Sequence, residues 1–375
     1  LYCAIVLKVK QTAFCQAQEM NSPASLLKEE PPLSELTESI RRGAAVTWYR
    51  SPLTTAQVKD LHRKSNLQGA FQTLGYLGIL LMTGTLAFHS SSAWPWWMTI
   101  VLILIHGTVG SFLINAVHEL GHGTVFKTRW LNTFFCHLLA FPGWINHEMF
   151  QASHTRHHRY TLHPPDDLEV VLPSKIILRH FLRDGFINIH TPRQVLESTW
   201  RIACGRFSGE WEMTLFPPSS PGKRQAPVRW ARILLGGHAL ILVLSIATGH
   251  WMIPLLVSMI PCYGAFLFYL CNNTQHVGLQ DNVADFRLCA RTYTLNPLVR
   301  FLYWQMNYHI EHHMYAAVPC YHLKKLHSLI RHDLPPTPQG LRAVWREIIG
   351  ILKRQEKDPA YQHAVTLPVP ASGVA

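Results

Sequence analysis

Residues 65–123 read SNLQGAFQTLGYLGILLMTGTLAFHSSSAWPWWMTIVLILIHGTVGSFLINAVHELGHG. From Ser65 to Val117 there is no Lys, Arg, Asp or Glu, although these make up 15% of the chain. A bilayer core takes ~20 apolar residues per helical crossing, so this run holds two crossings, turning at HSSSAWPWW. The run from Ile233 to Gln280 is equally free of charge and turns at TGHWMIP, which predicts a second pair. The four predicted spans lie at about 69–88, 96–115, 233–248 and 252–271. Neither turn carries Lys or Arg and both carry Trp, so all 34 cationic residues fall on one side, the cytoplasmic one by the positive-inside rule. The expected fold class is an all-α integral membrane protein, four transmembrane helices in two hairpins with a cytoplasmic helical cap holding a His-rich di-metal site.

The remaining chain is read as three parts. Residues 1–43 contain KEEPP and are expected to form a disordered arm, with Met20 as the expected true start because the apolar run before it is too short to span. Residues 44–335 hold the membrane domain and its cap, and 336–375 hold an amphipathic helix and tail. In that helix Leu341, Val344, Trp345, Ile348, Ile349 and Leu352 recur at helical spacing. Residues 130–146, broken by Pro142 and Gly143, are expected at the interface or as a re-entrant piece, and 147–232 as a cytoplasmic insert in which PPSSPGKRQAP reads as loop. A net charge of +12 is scattered rather than blocked, which argues against nucleic acid and for anionic membrane lipids and an acidic protein partner. The eight cysteines form no C-x-x-C pair and are read as reduced packing residues.

The end of the opening stretch, HELGH, matches the zinc-protease pattern H-E-x-x-H. Spacing of four puts His118 and His122 on one helical face, which suits any metal. A membrane protease of the site-2 type would need a third ligand, an Asp in a later apolar segment, and the charge-free segments contain none. Histidine is instead in surplus. HTRHH places His154, His157 and His158, and HIEHH places His309, His312 and His313, at i, i+3 and i+4. Eight such side chains exceed one tetrahedral site and suffice for two metals. His276, in NNTQH after the last predicted span, is a ninth candidate. Histidines that ligate metals have their second ring nitrogen held by a carboxylate or carbonyl. Glu119, Asp166, Asp167, Glu169, Glu311 and Asn273 are close enough in sequence, with Glu119 and Glu311 favoured because they lie inside the clusters. On that reading, Glu311→Gln lowers metal occupancy or turnover. His106 and His238 fall within predicted spans, where they either line a substrate tunnel or bond a helix carbonyl as neutral groups.

Taken in order, H-x(3)-H, H-x(2)-H-H and H-x(2)-H-H resemble the three boxes of the membrane fatty acid desaturase and hydroxylase superfamily, as do the longer strings HTRHHRYTLHPPDDLE and NYHIEHHMYAAVP. The resemblance covers roughly residues 65–335. It implies that His118, His122, His154, His157, His158, His309, His312 and His313, with His276 as the looser match, bind two iron ions. It further implies O2 as co-substrate and desaturation of a fatty acyl or lipid-like chain. Removal of hydrogen from an unactivated C–H bond needs a redox metal, since side-chain acids and bases cannot carry it. The sequence holds no HPGG haem signature, C-x-x-C set or dinucleotide fingerprint, so electrons are expected from an external cytochrome b5 or ferredoxin with its reductase. A hydroxylase or epoxidase of a fatty acid, terpenoid or specialised metabolite shares these boxes. A zinc protease or a metal transporter is the more distant reading. The expected location is the endoplasmic reticulum of a eukaryote or the inner membrane of a bacterium.

Overall fold

The computed structural model describes residues 46–174, 176 and 183–368. The expectations for residues 1–43 and Met20 lie outside this range. Among the described residues there are helices and isolated bridges but no strands. After α1 (Thr55–Leu61), the first hairpin is α2 (Asn66–Ala93) and α3 (Trp96–Gly110), which continues past Ser111–Phe112 as α4 (Leu113–Gly121). Ser65 caps α2 by accepting from the Gln68 amide at 3.3 Å. At ~1.5 Å per residue its 28 residues reach ~42 Å, more than a bilayer core. Among the described residues three helical stretches, 66–93, 96–121 and 221–248, are long and apolar enough to cross a membrane. Leu81, Met82, Ile100, Leu240, Val243 and Ile246 on them are exposed, as side chains facing lipid tails are.

Between the hairpins lie α5 (Arg129–Ala140), α6 (His147–Tyr160), α7 (Thr191–Ala203) and α8 (Gly209–Leu215). Only 12 residues long, α5 exposes Trp130, Phe134 and Leu138 along one face and buries Asn132, Cys136, Leu139 and Ala140 on the other. That amphipathic pattern is what an interfacial helix requires. The second long helix, α9 (Pro221–Thr248), starts earlier than its sequence suggested. Residues 221–227, read as loop, are helical because Pro221 sits at the first position, where a proline ring presets φ, and the Pro227 carbonyl accepts from Asn146 Nδ2 at 2.9 Å.

The fourth predicted span, 252–271, differs from a single crossing helix. It folds as α10 (Met252–Val257), a 3₁₀ turn (Ile260–Cys262) and α11 (Phe266–Asn272). Pro254 and Pro261 donate no backbone hydrogen bond, and Gly264 at φ 75° packs where a Cβ would stand 2.5 Å from the Gly107 carbonyl carbon. The carbonyls released by this break find side chains. Tyr263 Oη donates to Leu255 at 3.0 Å, His106 Nε2 to Leu256 at 2.9 Å and Trp144 Nε1 to Ser258 at 2.8 Å. Unpaired carbonyls in an apolar surround cost several kcal/mol each, which explains polar groups at these depths. His238 is a second brace. Its Nε2 donates to the Phe141 carbonyl at 3.1 Å, its Nδ1 lies 2.7 Å from Ser258 Oγ, and its ring stacks between Phe141 and Trp144. Both intramembrane histidines are therefore carbonyl partners. Gly107→Ala should be destabilising by about 1–3 kcal/mol, since its Cβ would run into the Tyr263 ring; thermal unfolding in detergent measures this.

The broken segment returns the chain along the length of the hairpins. His250 stacks on Phe88, and Met252 and Leu256 pack with Ala87, near the α2–α3 turn. At the other end α11 leads to His276. The remaining short helices, α12 (Phe286–Cys289), α13 (Pro297–Leu302), α14 (His309–Met314) and α15 (Leu323–Ile330), and the longer α16 (Gly340–Gln355), close over that end. Within α16, Val344 and Ile348 are buried and Leu341, Trp345 and Leu352 half-buried, while Ile349 is exposed.

Candidate metal centre

The nine histidines of the three clusters and of NNTQH reach one place. His118 on α4, His122 at its end, His154 and His158 on α6 and His312 on α14 bring one ring nitrogen each to within 4.8 Å of one another. A second group joins His157, His276 and His313 within the same limit. His309 completes it, its Nε2 lying 2.9 Å from His276 Nε2 and 3.1 Å from His313 Nε2. The groups abut where the His158 and His313 rings stand 4.5 Å apart. Helical geometry supplies each cluster, because i, i+3 and i+4 residues share a face. His118 and His122, the protease-like pair, thus take partners from both other clusters.

The outer nitrogens decide which atoms face inward. His118 Nδ1 lies 2.9 Å from Glu119 Oε1, His154 Nδ1 2.9 Å from Glu169 Oε1 and His157 Nδ1 2.7 Å from Asp167 Oδ2. His276 Nδ1 donates to the Cys289 carbonyl at 2.7 Å. Carboxylates and carbonyls accept, so these nitrogens carry the hydrogens and each Nε2 presents a lone pair. Yet His158 Nε2 lies 2.9 Å from His154 Nε2 and 3.0 Å from His312 Nε2, and His309 Nε2 is equally close to His276. His154 and His276 meet these contacts with lone pairs, and no acceptor on Nδ1 of His158, His309 or His312 holds the hydrogen there, so each pair either shares one hydrogen or turns two lone pairs toward a cation between them. Nitrogens bound side by side to one ion at ~2.1 Å lie about 3 Å apart, so the donor set fits metal ions. Buried His122 Nε2, with no hydrogen-bond partner, fits the same account.

Burial keeps most of these rings neutral. It drives His154, His158, His309, His312 and His313 well below the ordinary histidine range, reinforced by their neighbours, and takes His276 to about 3. Burial also pushes Glu169 up to about 7. Burial alone would raise Asp167, but His157 and the Leu162 and Glu169 amides outweigh it and hold the carboxyl low. Neutral imidazole is the form that binds metal.

The surrounding carboxylates sort differently from the sequence reading. Glu119 touches His118 and lies 3.6 Å from His312 Nδ1. Glu311 is turned away from the nine histidines. It accepts from Thr292 Oγ1 and pairs with His327 Nδ1, because one step along α14 from Ile310 and one before His312 it projects from the opposite face. The carboxylates that stand against cluster histidines besides Glu119 are Asp167, beside His157, and Glu169, beside His154. Asp166 pairs with Arg156 at 2.6 Å, and Asn273 donates to the Tyr269 carbonyl, so neither touches a cluster histidine. Thr161, whose Oγ1 lies 3.2 Å from His313 Nδ1, and the Cys289 carbonyl had no sequence signal. DDLE, soon after the second cluster, was the signal for Asp167 and Glu169. Accordingly, Glu311→Gln should leave metal content unchanged while lowering thermal stability by about 1–3 kcal/mol through a lost buried acceptor, a pair of readouts that elemental analysis and unfolding separate.

The profile of the fatty acid desaturase family matches residues 95–345. The dihydrorhizobitoxine desaturase of Bradyrhizobium elkanii is 23% identical over 64% of this chain and 69% of its own length. Two sn-1 oleoyl-lipid 12-desaturases are similar. That of Picosynechococcus is 22% identical over 64% of this chain and 71% of its own, and that of Arthrospira platensis 24% over 67% and 70%. With the match covering most of the chain, including all nine histidines, and with its long apolar helices, this membrane protein belongs to the fatty acid desaturase family.

Proposed function

We propose that the chain is a di-iron oxidoreductase that introduces a double bond into a fatty acyl or lipid-like chain. The observation that carries this reading is the pair of abutting histidine groups with Nε2 atoms facing one another at 2.9–3.1 Å. His118, His122, His154, His158 and His312 would hold one iron, and His157, His276, His309 and His313 the other. Bound iron would supply the one-electron chemistry that C–H cleavage requires. The reaction balances as one CH2–CH2 unit, O2, two electrons and two protons giving one CH=CH unit and two waters.

The chain's own contribution is to fix the ligands before substrate arrives. Glu119, Asp167, Glu169 and the Cys289 carbonyl lock four rings with Nε2 inward, and burial excludes water and keeps His154 and His276 unprotonated, whereas at His157 the Asp167 carboxylate outweighs burial and raises the ring above the ordinary histidine range. Names of relatives that refer to an oleoyl lipid support an acyl substrate. The broken segment 252–271 would act as the fourth crossing, returning the chain to the side of the centre. By the charge distribution that side is cytoplasmic, in the endoplasmic reticulum or a bacterial inner membrane. Electrons would come from an acidic carrier, cytochrome b5 or ferredoxin, with its reductase. The test is product analysis of detergent-purified, iron-loaded protein given O2, a reduced carrier and an oleoyl lipid. A new double bond is expected; an alcohol or epoxide as sole product would assign the chain to the oxygen-inserting branch.

A further inference from the structure

Two surface grooves at the end of the molecule nearest the histidines are built alike. One, of about 530 Å3, lies on α9 where its charged start meets its apolar length, and is lined by Arg229, Arg232 and the exposed Ile233. The other, of about 490 Å3, lies on α16 between Arg342, Arg346 and Lys353, with exposed Ile349 and half-buried Trp345. Neither lining contains an acid. The residues of α9 include no Asp or Glu, and Glu347 of α16 is drawn to Arg291 at 2.9 Å. Among the described residues Arg229, Arg342, Arg346 and Lys353 have no ion pair, and Arg232 uses Nε on the Ala203 carbonyl.

Position ties both grooves to one level. Trp230, next to Arg229, donates to the Ile145 carbonyl at 2.9 Å, just before the helix of the second histidine cluster. Trp345 Nε1 donates to the Leu270 carbonyl at 2.9 Å, in the last turn before the chain leaves the apolar segment. On a helical wheel Arg342, Arg346, Ile349 and Lys353 share the side opposite the buried Val344, Ile348 and Ile351. An exposed isoleucine among unpaired cations suits a surface that is anionic in its outer layer and apolar beneath. A soluble acidic protein would leave those isoleucines unmatched. We propose that these two grooves bind the headgroups of anionic phospholipids, seating the histidine end of the molecule against the membrane surface. This rests on the chain being a membrane protein, not on its reaction.

Native mass spectrometry of the full chain, released from detergent with equimolar dioleoyl phosphatidylglycerol and phosphatidylcholine, tests it. Wild type should carry the anionic lipid preferentially. Arg342→Gln/Arg346→Gln/Lys353→Gln should lower that preference about tenfold, and Arg229→Gln should lower it further when combined. Arg342→Lys/Arg346→Lys, which keeps the charge, should retain it and shows that loss in the Gln variant is not misfolding. An equal ratio of the two lipids on wild type, or an unchanged ratio in the Gln variants, overturns the proposal. So does an unchanged ratio accompanied by slower reduction from an acidic redox protein, which would make the grooves a protein-docking face. Protein that stays monomeric in water without detergent would instead overturn the membrane reading itself.

Discussion

Alanine at His157 or His312 should strip the purified protein of metal. Wild type is expected to hold about two irons per chain, and each variant fewer than one, with turnover falling by a factor of about 10³ or more, the scale of losing a catalytic metal's contribution. The two positions probe different groups, since His312 lies among His118, His122, His154 and His158, whereas His157 lies beside His276 and His313. Because the groups abut through His158 and His313, loss of one ion should loosen the other. Iron and zinc quantified together on the same preparations give the answer. One tightly held zinc that survives both substitutions would return the chain to the zinc-enzyme reading of HELGH.

Asp167→Asn carries the second large effect. Asp167 Oδ2 faces His157 Nδ1 at 2.7 Å and accepts from the Leu162 amide at 2.8 Å, while Oδ1 accepts from the Glu169 amide at 2.9 Å. One fully buried carboxylate thus orients the His157 ring and holds the turn that delivers Glu169 to His154. An amide at this site offers a hydrogen where an acceptor is needed, so about 10–100-fold loss in iron affinity is expected, read by titrating apo protein with iron. Asp167→Glu should recover part of it. A variant that binds iron as wild type does would mean that His157 is oriented by packing alone.

Much of this was legible in the sequence. Absence of charge over 65–117 and 233–280 dictates apolar helices, because no other local arrangement satisfies a backbone without water. The i, i+3, i+4 spacing fixes that His154, His157 and His158 share a face whatever surrounds them. What spacing along one helix does not encode is which way that face turns. Glu311 sits inside its cluster in sequence and outside it in space, held by Thr292 and His327 from other elements. Asp167 and Glu169 lie outside their cluster in sequence and against it in space, because the turn at Leu162, at φ 57°, folds the chain back. The apolar run 252–271 specified burial, but whether it stays one helix depended on partners for the released carbonyls, and His106, Trp144 and Tyr263 come from three different parts of the chain. Periodicity and composition are local, so they determined where the long apolar helices lie and which histidines share a helical face. Hydrogen-bond partners and the direction of each face are relations between distant residues, and only the tertiary structure decided them.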